Sequence, residues 1–491
     1  MIRFVTARGE LTLPAGEIEV AIASPYFDTD TIPGSTSYPF DLAATGDNPR
    51  VLNHPHLVRT PGGPPPEPTD CYLDGVLWRR GSLVFRSYDA PKRVYRYNFV
   101  ADATDLAKQL AGLRLPDLAL PDLVFARTAA AQAGYVLAPV RNTAFFGDDD
   151  KNPAFKGILN WPSPAGGLGA PGPNQVYVPM LYLVPALRAV MATIGYTLTG
   201  TWVDDPEVQT AVIYSDRALA STVAVGDAFP MARHLPELTV PELLLGLQNL
   251  FCLGLYFITG KKELRIDALR GVVQRGPYVA RPGALLTTAG TNDTRGFTLV
   301  QEPDTNDELD KTLDVSWQKM QVGAGGEEIK AQAGTLHLVR EADPNTPGRE
   351  WLVPAISAKG ASPEYDVGDD SRTGLRLLFD RGLQHDSQGH PYRLLSSGTE
   401  DYAGASVGEY SLHWAGPAGL YETWHRPWLD FRARAVPREY TVPFRITDLL
   451  TLDPATHELV DYHLLLWQQV SLKVGAGNPL QSATITYQEL L

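Results

Sequence analysis

Apolar and polar residues alternate with a period of two through Glu17–Ala23, Ser35–Leu42 and Arg93–Phe99, the spacing that lines one face of a β-strand. The first two segments flank the turn-rich stretch from Thr29 to Gly34 and read as paired strands. Between Tyr72 and Tyr88, Asp74-Gly75 and Gly81 punctuate β-rich runs, which with Arg93–Phe99 predict a small antiparallel meander. Asp102 or Thr104 can cap a short helix through Leu110, closing a first unit near residue 115. The Pro/Gly tract Pro61–Pro68 cannot be helical and reads as an exposed loop or rigid spacer, and residues 116–175 read as a loop-rich surface insertion.

Two segments change period. Tyr182–Ile194 has apolar residues at helical spacing and stops at Gly195, before a strand over Tyr196–Thr199. Thr239 is an N-cap candidate with Pro241 just inside, and Leu243, Leu244, Leu247 and Leu250 share one buried face. A hairpin follows, Leu255–Ile258 and Leu264–Asp267 around Thr259-Gly-Lys-Lys262. From 271 to 491 the pattern returns to short strands, with one modest helix near Ile446 to Leu452. The expected organisation is 1–115 a strand-rich unit, 116–175 insertion, 176–270 mixed helix and strand, and 271–491 a second strand-rich unit. The fold class is therefore a β-rich α+β multidomain chain.

One segment breaks this alternation. Leu420–Phe431 packs Tyr421, Trp424, Trp428 and Phe431 into twelve residues, ahead of a strand-to-helix run over Arg438–Leu450. With Trp78, these four aromatics are the candidate packing and assembly residues, because aromatic rings carry large anchoring surfaces. No acid, base or nucleophile sits among them at a motif spacing.

Composition narrows the class. Gly 44 and Pro 40 favour turns and short strands over long helices. A net charge of -14 argues against sequence-independent binding to a nucleic-acid backbone. No apolar run approaches the ~18 residues of a membrane span, so membrane insertion is not expected. Cys71 and Cys252 stand too far apart in sequence for a CxxC metal motif and read as packing residues.

The chemical motifs are weak. Gly404-Ala-Ser-Val-Gly408 matches G-x-S-x-G, yet its flanks are not a buried strand and a helix, so Ser406 reads as a loop residue. His54 and His56 form H-x-H without a third ligand at a motif spacing, and His385 and His390 are turn-bound. Asp148–Asp150 and Asp369-Asp370 do not fit a calcium-loop spacing and read as solvated carboxylates. No phosphate-binding glycine loop or zincin motif occurs. No catalytic, cofactor or metal residue is assigned.

Five pieces resemble, in order, the baseplate or tail-tip hub proteins of tailed bacteriophages and prophages. They are Tyr38–Leu52, Leu73–Gly81, Ile194–Tyr196, Leu235–Leu243 running on to Phe251, and Leu420–Trp428. The resemblance implies a homotrimer whose protomers each give two tube-like β-barrel domains to a ring closing the distal tail tube. Its partners would be tail-tube or distal tail protein, tape-measure protein, and spike or fibre proteins. DNA would pass through without specific binding. The chain would be made in the host cytoplasm and sit at the distal end of the virion tail. A β-rich glycan hydrolase and a host-receptor adhesin remain open readings.

Overall fold

The computed structural model describes residues 2–13, 18–28, 37–57, 63–101, 110–147, 152–165, 167–170, 175–274, 276–292, 294, 296–312, 319–324, 326–363, 373–474 and 480–490. The expected turn Thr29 to Gly34, the Asp102 or Thr104 cap, Asp148–Asp150 and Asp369-Asp370 lie outside the described residues, as do parts of the Pro61–Pro68 tract.

Strands dominate, as the period-two segments predict. A six-stranded antiparallel sheet orders Gly9–Glu10, Ile2–Thr6, Glu67–Leu73, Val76–Asp89, Val94–Ala101 and Ser37–Ala43. The turn at Asp74 and Gly75 has positive φ at both residues, which reverses the chain between Leu73 and Val76. The meander is present.

The expected pairing of Glu17–Ala23 with Ser35–Leu42 is not. Ile18–Ala23 pairs instead with His463–Val474, while Ser37–Ala43 pairs with Val94–Ala101. Alternation fixes which face of a strand is buried but leaves its partner open. Here the partner lies some 450 residues away in sequence. One apolar core runs through both ends of the chain, with Phe4, Leu42, Leu83 and Phe99 packed together with Val442, Leu465, Trp467 and Ile485.

The C-terminal sheet orders Tyr278–Ala280, His457–Val460, His463–Val474, Leu480–Glu489, Pro437–Arg445 and Leu285–Ala289, with Ile18–Ala23 added beside His463–Val474. Its two outer strands are neighbours in sequence, parted by Arg281-Pro-Gly-Ala284. In a flat six-stranded sheet the edges would lie ~24 Å apart, but five residues reach only ~17 Å. The sheet must therefore curl, and one bent strand over 278–289 joins both its ends. Gly283, at φ +75, makes the bend. Arg281 holds it, bonding Glu458 at 2.5 Å and Asp448 at 3.2 Å across Phe444.

The middle of the chain carries the helices. Leu183–Thr193 and Val240–Phe251 pack into a second core with the hairpin Leu253–Ile258 and Glu263–Ala268. Thr239 caps the second helix in a reciprocal box with Glu242, and Cys252 takes the left-handed position that ends it. Residues 116–175 contribute short strands, and Val136, Val140, Phe145 and Leu159 are buried in a third core. That stretch is threaded into the interior and does not lie wholly on the surface.

Candidate functional site

The aromatic segment is helical, which its residue pattern did not announce. Tyr421–His425 forms a π-turn running into the α-helix Arg426–Arg434, with Pro427 in the first turn. Proline has no N–H, so the Thr423 carbonyl loses the donor an α-helix would supply four residues later. Arg270 supplies it instead, donating from Nη1 to Thr423 O at 2.9 Å. The same guanidinium lies 3.8 Å from the Trp424 ring centroid and donates from Nη2 to Asp205 and to the Tyr410 hydroxyl. Tyr410 in turn donates to Asp205 at 3.1 Å, and burial, with the nearby Asp205 charge, pushes its phenol above the usual value.

Trp424 is 1% exposed and meets Phe251 at 5.6 Å and Tyr410 at 5.0 Å. Its indole N–H is buried without a hydrogen-bond partner among the described residues. Trp428 packs on Phe27 at 5.3 Å and Phe431 at 5.2 Å, so this helix clamps the turn that follows Ile18–Ala23. Next to it, His425 donates from Nε2 to Leu250 O at 3.0 Å, near the end of the capped helix. Burial pushes His425 down to about 4, so the ring is neutral and that donor is retained.

Four of the five aromatic candidates, Tyr421, Trp424, Trp428 and Phe431, therefore share one core. Trp78 does not join them. It is buried in the core shared by the two chain ends, beneath the Arg79 guanidinium. All five are covered by residues of this same chain.

A cleft of about 610 Å³ opens beside Trp424, with Asp205, Arg270, Arg265 and Asp267 on its walls. Arg265 bonds both oxygens of Asp453, at 2.8 and 2.5 Å, and sits 2.8 Å from Asp267. Tyr26 donates to Asp267 at 2.5 Å. Burial opposes ionisation of Asp453, yet the Arg265 contacts outweigh it and hold that carboxyl below its ordinary range. These acids are held by cations, an arrangement that ties elements together.

Ser406 lies in a loop, bridged to Glu400. Both glycines of its motif have structural reasons. Gly404 takes φ +84 in a turn, and a Cβ on Gly408 would lie 1.9 Å from Arg381 Nη1. His56 bonds the Tyr95 hydroxyl through Nδ1 at 2.8 Å and rests against Tyr88, with the His54 ring 6.3 Å away. His390 stands 3.5 Å from Asp386, itself held by buried Arg349, and His385 is paired opposite Pro391. Among the described residues no group of three or more His, Cys, Asp or Glu could hold a metal ion.

Two Ser–His pairs were not legible in sequence, Ser215–His234 at 3.4 Å and Ser397–His413 at 3.2 Å. Ser215 and Ser397 are buried away from any substrate. Burial drives His234 down to about 3. Their residues are 19 and 16 positions apart, outside any local motif spacing.

No family model matches the chain, and no curated protein matches it. Solved structures with a similar course include the 43 kDa tail protein of prophage MuSo2 from Shewanella oneidensis. It has 9% identity and a TM-score of 0.36, over 99% of this chain and 97% of that one. The prophage tail protein gp18 from Listeria monocytogenes EGD-e has 8% identity and a TM-score of 0.36, over 99% and 94%. The tail protein from Neisseria meningitidis MC58 has 9% identity and a TM-score of 0.35, over 99% and 96%.

Proposed function

We propose that this chain is a structural component of a phage or prophage tail, a hub ring that links the tail tube to the distal spike or fibre. The observation that carries the reading is the pair of sheets that bring the two chain ends onto one core, the first antiparallel throughout, the C-terminal one antiparallel except where Tyr278–Ala280 runs parallel to His457–Val460, and closed by the bent strand over 278–289. Such paired β-units are what a protomer of a ring around a conduit requires, and the ordered landmarks of the sequence fall partly on these sheets and partly on the central core beside them. Leu73–Gly81 includes the turn between two strands of the first sheet, Leu235–Phe251 includes the capped helix, and Leu420–Trp428 includes the π-turn. The ring would be a homotrimer, with tail-tube or distal tail protein above, spike or fibre proteins below, and the tape-measure protein within. A net charge of -14 suits a conduit wall, since DNA slides past an acidic surface with little adhesion.

The test is to delete the gene from its phage or prophage and image the particles. Tails that lack their distal assembly, restored by the wild-type chain, support the reading. Complete, infectious tails overturn it. Turnover of cell-wall or capsular glycan by the purified chain would favour the hydrolase reading instead.

A further inference from the structure

The bent strand that closes the C-terminal sheet is held by almost none of its side chains. Both of its arms, Tyr278–Ala280 and Leu285–Ala289, are exposed at every position. The strands they pair with are anchored elsewhere, since Tyr440, Val442 and Val460 belong to one core with Leu465, Trp467 and Ile485. From 276 to 290 only Ala284 is buried, and the Arg281 side chain is 11% exposed. The second arm is further weakened by an irregular register between Leu286 and Thr288, where the Thr287 hydroxyl donates to Glu439 O at 2.8 Å. Main-chain bonds on an exposed edge are exchanged for bonds to water at little net loss, so a segment without apolar burial lies at the weak end of a fold.

Both flanks of this strand are pinned. Before it, Val272 is buried and its carbonyl accepts from His457 Nε2 at 2.6 Å. After it, Asn292 donates to Arg432 O at 2.8 Å and to Ala435 O at 2.7 Å. Between the pins one buried tie remains, from Arg281 to Glu458, a carboxylate 2% exposed. Withdrawing Arg281 leaves that charge buried without its cation, so this pair opposes release of the whole strand. We propose, independently of the tail reading, that 278–289 is a clasp. It swings off the sheet as one unit between its two pins, while the strands behind it stay folded. Opening bares the edges of Pro437–Arg445 and His457–Val460 together, because the two arms share the Arg281 tie and the Gly283 bend.

Native-state hydrogen exchange of the full chain, read segment by segment by mass spectrometry across low urea concentrations, tests it. In the wild type both arms should exchange through a shared opening that urea barely promotes, since little surface is uncovered. His463–Val474 and Leu480–Glu489 should exchange only on global unfolding. Arg281→Met should speed exchange in both arms by ~100-fold or more, because the tie no longer opposes opening. A second variant locks the clasp. Leu285 stands opposite Thr441, and opposed residues of an antiparallel pair have Cα atoms ~4.5–5.5 Å apart, within disulfide reach. Oxidised Leu285→Cys/Thr441→Cys should slow exchange in the untethered arm Tyr278–Ala280 as well as in the tethered one, and reduction should restore it. Wild-type arms as protected as His463–Val474 would overturn the proposal. So would an Arg281→Met that speeds Tyr278–Ala280 alone, or a disulfide that slows Leu285–Ala289 alone, since either result means that the arms open separately.

Discussion

Replacing Trp424 with alanine removes the ring on which three elements meet, and the structure sets the size of the loss. Truncating a fully buried Trp costs ~3–5 kcal/mol, and the desolvated stacking of Arg270 adds ~1–2 kcal/mol. Against this, the buried indole N–H has no partner among the described residues, so removing it returns ~1–3 kcal/mol. The net expectation is a destabilisation of about 3–4 kcal/mol. Trp424→Phe keeps most of the ring contact and also removes the unpaired donor, so it should cost less than about 1.5 kcal/mol. Urea denaturation followed by tryptophan fluorescence and by far-UV circular dichroism measures both variants in the transition that reports the central core. An alanine variant within about 0.5 kcal/mol of wild type would refute the anchoring role. A phenylalanine variant as damaged as the alanine one would refute the reasoning about the unpaired indole.

The remaining expectations concern the parts around that anchor. His425 is pushed down to about 4 by burial, whereas an unfolded His titrates near ~6.5. The unfolded state thus binds more protons, and stability present above ~6.5 falls as pH drops toward 4, by up to about 1.4 kcal/mol per pH unit for this site. His425→Gln should flatten that slope in urea midpoints taken across the window, and an unchanged slope would exclude His425 as its source. Gly408→Ala should lower the thermal midpoint because its Cβ meets the Arg381 guanidinium, while Ser406→Ala should leave it unchanged. A silent Gly408→Ala would remove the structural reason given for that glycine. Arg281→Met should strand buried Glu458, cost ~3–5 kcal/mol, and speed hydrogen exchange in the strands that 278–289 joins. Full protection there would show that the sheet closes without it.

Local features were legible in the sequence wherever one stretch of chain decides its own conformation. Thr239 with Glu242, Asp74-Gly75 and the alternation in Arg93–Phe99 each encode a cap, a turn or a strand. Pairing across distance was not. Nothing in Ile18–Ala23 names His463–Val474 as its neighbour, because a period-two pattern suits any half-buried sheet. The helix in Leu420–Arg434 was hidden for a different reason: Pro427 breaks the hydrogen-bond ladder, and the compensating donor, Arg270, lies outside the segment. Trp424 was legible as an anchor from its size, but its cation and its unpaired indole belong to the fold. The exposed run Leu285–Ala289 reads in sequence as an ordinary strand, and only its lack of cover on both faces marks it as part of a clasp.

Electron cryo-microscopy of the phage or induced prophage particles, with an epitope tag on this chain, tests the central claim most directly. The account predicts tagged density in a three-fold ring at the distal end of the tail tube, around a continuous channel. Tag density elsewhere on the particle, or none on intact particles, would contradict it.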